Sequence, residues 1–203
     1  MEIFQKPEDY AAFERVMCDA AEHVDMRLLA YCLMPNHWHL LLRPREDGDM
    51  GRCMQRLTVT HVRRWHEHRH SVGFGHVYQG AYKSFPVQHD EHFLRVCRYV
   101  ERNASRSALV DRAEAWRWGS MWRRDHPEVV ENAPVLCDWP APRPNSWRRL
   151  VNRPQSENEI DAIRLCVKRG RPYGSEPWRK RTAARLGLES TFRPRGRPKK
   201  AEA

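Results

Sequence analysis

Two apolar runs, 27–34 and 37–43, are separated only by Pro35-Asn36, and this arrangement most sharply restricts what the chain can fold into. A two-residue break rich in turn chemistry returns the chain on itself, so the runs read as the strands of an antiparallel hairpin. The second run is His37-Trp38-His39-Leu40-Leu41-Leu42-Arg43. A strand places residues i and i+2 on one face, with about 6.7 Å of rise between them. His37 and His39 therefore share a face, while Trp38, Leu40 and Leu42 point the other way, toward a core.

The flanking sequence changes period. Residues 7–26 carry Tyr10, Phe13, Val16, Met17, Ala20 and Val24 at helical spacing; residues 50–68 carry Met54, Leu57, His61 and Trp65. Residues 90–103 form a third helical pattern through Phe93, Val96, Cys97 and Val100. After Gly73 and Gly75, residues 77–87 are rich in Tyr and Phe and read as a strand pair or one bent strand. Helix, hairpin, helix, strand, helix is an α+β order, which predicts a small antiparallel sheet with helices on one face. The Pro-rich stretch 125–155 reads as a linker between a domain at 1–124 and an extension at 156–203. In that extension Ser156 and Glu159 form a capping box ahead of Gly170, and Ser175 and Pro177 open a second helix that ends at Gly187. The pair, joined by Arg171-Pro-Tyr-Gly174, has the order of a small helix-turn-helix.

Charge is divided along the chain. Residues 1–142 hold 19 Lys and Arg against 20 Asp and Glu, whereas residues 143–203 hold 17 against 6. A one-sided basic segment is the footprint of a polyanion, and its few large apolar residues favour nucleic acid over a lipid surface. No apolar run reaches the roughly 18–20 residues that span a bilayer, and the N-terminus lacks a signal peptide's pattern, so the cytoplasm is the expected location. The six cysteines are scattered without a C-x-x-C pair, as in a reduced protein without zinc-finger or thioredoxin chemistry. Glycine-rich nucleotide loops are absent, which removes support for an ATP-driven mechanism.

On the third helix Tyr99 and Asn103 lie four residues apart, hence one above the other, and well off the middle of the apolar face. By pattern alone Tyr99 is an exposed tyrosine beside ordinary arginines or a placed functional group. A His-x-His pair alone fits surface hydrogen bonding as well as metal ligation. His61, His66, His68 and His70 do not share one helical face and read as a polar helix end. Trp116, Trp118 and Trp122 read as packing residues before base-stacking ones.

The run Ala30-Tyr-Cys-Leu-Met-Pro-Asn-His-Trp-His-Leu-Leu-Leu42 resembles the HUH motif of single-strand DNA transposases with one catalytic tyrosine, in particular the REP-associated tyrosine transposases and their insertion-sequence relatives. Three further blocks resemble that family in order: 75–84, 98–110 around Tyr99, and 116–120, so that the likeness spans about residues 3–122. It implies a ferredoxin-like antiparallel sheet. Family members begin with a strand that has no counterpart ahead of the first helix here, and that strand would lie beside the His-x-His strand. Ala81 and Ala104 stand where many members carry arginine and proline.

Carried over by position, the resemblance makes His37, His39 and Asn103 ligands to a divalent ion, Mg²⁺ or Mn²⁺, and Tyr99 the nucleophile. Such an ion offsets charge at phosphorus, and a phenol attacking there forms a 5′-phosphotyrosine bond that a later 3′-hydroxyl can reverse. Arg95 and Arg98 flank the nucleophile as DNA contacts. Lys83 fits a phosphate contact and a solvated lysine equally. Arg193, Arg195, Arg197, Lys199 and Lys200 fit a minor-groove arm or a nonspecific cationic tail. The expected partner is hairpin-forming single-stranded DNA in the nucleoid, with monomer and homodimer both open. The rival readings are a non-catalytic DNA-hairpin-binding descendant and, on the basic tail alone, an RNA-binding protein.

Overall fold

The structure is a computed structural model and describes residues 2–73, 75–128 and 133–193. The hairpin forms where the sequence places it. β1 (Arg27–Met34) pairs antiparallel with β2 (His37–Arg43), setting Met34 opposite His37 and Cys32 opposite His39. These two strands form a sheet of their own. A bulge between Leu28 and Ala30 breaks the register and turns Leu29 and Ala30 into the same core. The free carbonyl of Leu29 accepts from the Trp139 indole (2.8 Å) and from Arg124 (2.9 Å).

Helices flank both faces of the hairpin rather than one. On the first face α1 (Pro7–His23) and α2 (Asp49–His68) pack Phe13, Val16, Met54 and Leu57 against Leu28, Tyr31 and Leu33, with Trp38, Leu40 and Leu42 at the margin. On the second face α3 (Glu91–Glu101) packs Phe93, Val96, Cys97 and Val100 against Leu29, Ala30, Cys32 and Met34. The physical reason lies in β1, whose residues from Leu28 to Met34 are apolar on both faces and all buried. A one-sided arrangement would leave half of them in water.

The outer edge of β1 is closed without a strand. Leu33 N–H donates to Trp118 (2.9 Å), Cys137 N–H donates to Leu28 (2.9 Å), and the Trp116 indole donates to the Leu33 carbonyl (2.8 Å). Trp116 and Trp118 are thus packing residues, Trp118 stacking on Tyr10 at 4.9 Å. Residues 77–87 do not form the expected strand. A single bridge from Val87 to Tyr173 is the only pairing there among the described residues. A strand needs a ladder partner, Gly80 at φ +106° turns the backbone, and Pro86 removes a donor. Val77 and Tyr78 cap the first core instead; the Tyr78 hydroxyl meets His61 Nδ1 (2.6 Å) and accepts from the Trp38 indole (3.2 Å).

The stretch expected as a linker sits in the second core. It contributes Trp139 and, from α6 (Trp147–Asn152), the buried Trp147 and Val151. Here α4 is Asn103–Arg106, which continues α3 after Arg102, and α5 is Ser120–Asp125. The expected caps form around α7 (Glu157–Arg169), with the Ser156–Glu159 box at its start and Gly170 left-handed at its end. α8 (Glu176–Leu186) closes on Gly187. Ile160, Ile163 and Cys166 of α7 join the core that holds α3. That helix is therefore enclosed by the hairpin on one flank and the C-terminal third on the other.

Candidate active site

Strand pleat and helix period bring four side chains to one place. His37 and His39 leave the β2 face that looks toward α3, their ring centroids 5.0 Å apart and the planes near perpendicular. Tyr99 meets them from α3, its ring centroid 5.8 Å from that of His39 in an edge-on approach. Asn103 follows one turn later and is buried. Tyr99 is 7% exposed, so it is neither solvent-facing nor a plain core aromatic: it touches the second core and closes one wall of the site.

The electrostatics keep both imidazoles neutral. Burial first, then the proximity of His37 and of the Arg106 charge, push the His39 ring down to about 3, and burial and Arg106 lower His37 as well. The Asn36 Oδ1 lies 2.6 Å from His37 Nδ1. An amide oxygen only accepts, so Nδ1 carries the proton and the lone pair of His37 is on Nε2. Two neutral imidazoles on one face are the right donors for a divalent ion. Metal–nitrogen bonds of about 2.1 Å put the centroids of two rings on one ion roughly 5 Å apart, which the observed spacing matches. Asn103 fits less simply, because its Oδ1 already accepts from Arg106 while its Nδ2 is buried without a partner. Among the described residues no group of three or more His, Cys, Asp or Glu is placed to hold a metal. The histidine-rich end of α2 is no exception: His61 is buried on Tyr78, and His66 bonds Ser71.

The remaining expected contacts are dispersed. Arg98 is turned into the protein. It is 9% exposed, and its Nη2 donates to the carbonyls of Arg153 (2.7 Å) and Pro154 (3.1 Å), which ties α3 to the C-terminal third. Arg95 pairs with Glu91 at 2.9 Å and reaches the Tyr173 hydroxyl. Lys83 and Arg193 are exposed, and Arg195, Arg197, Lys199 and Lys200 lie outside the described residues.

Sequence reasoning missed Arg106. Its guanidinium lies over the Tyr99 ring, 4.2 Å from the centroid, and bonds Asn103. The signal was present: residues 99, 103 and 106 follow the i, i+4, i+7 spacing of one helical face.

Comparison with known proteins gives one match. The family model described as transposase, IS200-like, covers residues 1–103, and so includes both histidines, the tyrosine and the asparagine. No curated protein and no solved structure matches the chain.

Proposed function

The chain belongs to the IS200-like transposase family, a DNA transposase family, and from that membership we propose that it cuts and rejoins single-stranded DNA through Tyr99. The observation that carries the reading is the edge-on approach of Tyr99 to His39, with His37 alongside. Three groups from elements separated in sequence converge on one spot, and that spot lies within the matched residues.

In the proposed reaction the Tyr99 hydroxyl oxygen bonds to phosphorus as the bond from phosphorus to the 3′ oxygen breaks. The phenol gives up one proton and the departing 3′ oxygen gains one, leaving a 5′-phosphotyrosine and a free 3′-hydroxyl. A second 3′-hydroxyl reverses the step and joins strands, with the ester bond conserved and no nucleotide consumed. His37 and His39 would hold a divalent ion, Mg²⁺ or Mn²⁺, with Asn103 beside them; when bound, it supplies positive charge against the phosphate oxygens. Burial of Tyr99, beside a partly buried His39, reduces water near the reacting atoms, which disfavours simple hydrolysis of the captured strand.

The test is a pool of hairpin-flanked single-stranded oligonucleotides with randomised flanks, incubated with the protein and Mg²⁺ or Mn²⁺. A covalent adduct is expected, with the DNA mapped by mass spectrometry to the tryptic peptide containing Tyr99 and absent in Tyr99→Phe. Retention of hairpins with no adduct under either ion would replace this reading by that of a non-catalytic binding protein.

A further inference from the structure

We propose that Arg106 is a catalytic residue that contacts the scissile phosphate, an inference that rests on the reading of Tyr99 as nucleophile. Three observations define its position. The guanidinium is stacked on the Tyr99 ring, 4.2 Å from its centroid. One arm, Nη2, is fixed by Asn103 Oδ1. The other arm, Nη1, is buried and has no hydrogen-bond partner among the described residues.

A buried guanidinium N–H without an acceptor is costly unless a ligand supplies one. The ligand implied is an anionic oxygen; a guanidinium suits carboxylate and phosphate alike, and beside the Tyr99 nucleophile the anion at hand is the phosphate of the DNA strand. A phosphate engaged by Nη1 would sit beside the tyrosine that attacks it. Stacking fixes the approach, and Asn103 prevents the guanidinium from turning away. Arg106 thus serves two ends at once: it orients the ring of the nucleophile and balances the charge that builds on a non-bridging oxygen as the phosphorus is attacked. Neither task can be met by Arg98, whose Nη2 is committed to two backbone carbonyls.

The test uses the full chain and an oligonucleotide recovered as a Tyr99 adduct from the pool, made either with its normal phosphodiester or with a methylphosphonate at the cut position. The methylphosphonate lacks one charged oxygen and is neutral before attack, so the reacting group carries one negative charge fewer throughout and depends far less on Arg106. With the phosphodiester, Arg106→Gln should form adduct at least about 100-fold more slowly than the parent, the size of effect seen when one oxyanion donor is removed. With the methylphosphonate the two proteins should differ by less than about threefold, and Arg106→Lys should fall between them on the phosphodiester. If Arg106→Gln does not fold, as judged by thermal unfolding, the same comparison is made with Arg106→Lys. An equal loss on both substrates would mean that Arg106 only shapes the site, and an unchanged rate that it does nothing there; either overturns the proposal while the Tyr99 adduct of the parent stands. Failure of the parent itself to form an adduct removes the reading of Tyr99 and this inference with it.

Discussion

His39 couples the site to pH. Its folded-state pKa of about 3 lies below the ordinary histidine value of about 6.5. Above pH 6.5 the ring is neutral whether the chain is folded or not, and it exerts no pH effect. As pH falls toward 3 the unfolded chain takes up the proton first, so stability declines through that window. His61, pushed down to about 4 by burial, and His37 act in the same direction. His39 keeps some contact with water, which holds its share to about 1–2 kcal/mol at pH 5. Urea unfolding without added metal should show a drop in stability between pH 7 and pH 5 that is smaller in His39→Gln by that amount; parallel profiles would contradict the assignment. Individual residues of the site were legible because strand and helix periods are local. Period two groups His37 with His39, and 3.6 groups Tyr99 with Asn103. The burial of Arg98 is not legible for the opposite reason: what it bonds lies 55 residues further on, and no local pattern reveals it.

At the scale of elements, α3 is held by a buried carboxylate as well as by apolar contacts. Glu101, 3% exposed and two residues beyond Tyr99, accepts from the Trp147 indole (2.7 Å) and from Ser120 Oγ (2.8 Å). Burial raises its pKa and the two donors counter that rise. Trp147→Phe leaves the carboxylate with one donor and should lower stability by about 1.5–3 kcal/mol, read as a lower urea midpoint at unchanged m. Adding Glu101→Gln to Trp147→Phe should cost less than the sum of the single changes, and simple additivity would show that the pair is not coupled. The hairpin and the three long N-terminal helices could be read in advance because each carries its own period. Residues 77–87 could not, since β-propensity in Tyr and Phe becomes a strand only when a neighbour offers its edge. The docking of α7 was equally hidden: Ile160, Ile163 and Cys166 make one short stripe that does not name the surface it covers.

For the whole molecule, the division of charge predicts that affinity and chemistry are separable. Arg195, Arg197, Lys199 and Lys200 follow the last described residue, and the basic helix α8 precedes it. A chain ending at Arg193 should bind the same oligonucleotides more weakly, with the log–log salt slope reduced by up to roughly 3, since each lost phosphate contact on a single strand contributes about 0.7. At saturating DNA its adduct rate should match that of the full chain, and a slower rate would place the tail in the chemistry. No helix among the described residues is long and apolar enough to cross a membrane.

The enclosure of α3 has a mechanical corollary. Arg98 and Glu101, on either side of Tyr99, are both anchored to the segment 147–154. Any swing that carried the tyrosine from its histidines would have to drag that anchorage, and α7 and the cationic α8 after it, as one lever. A strand end captured by the phenol would then travel together with the surface best suited to grip the rest of it.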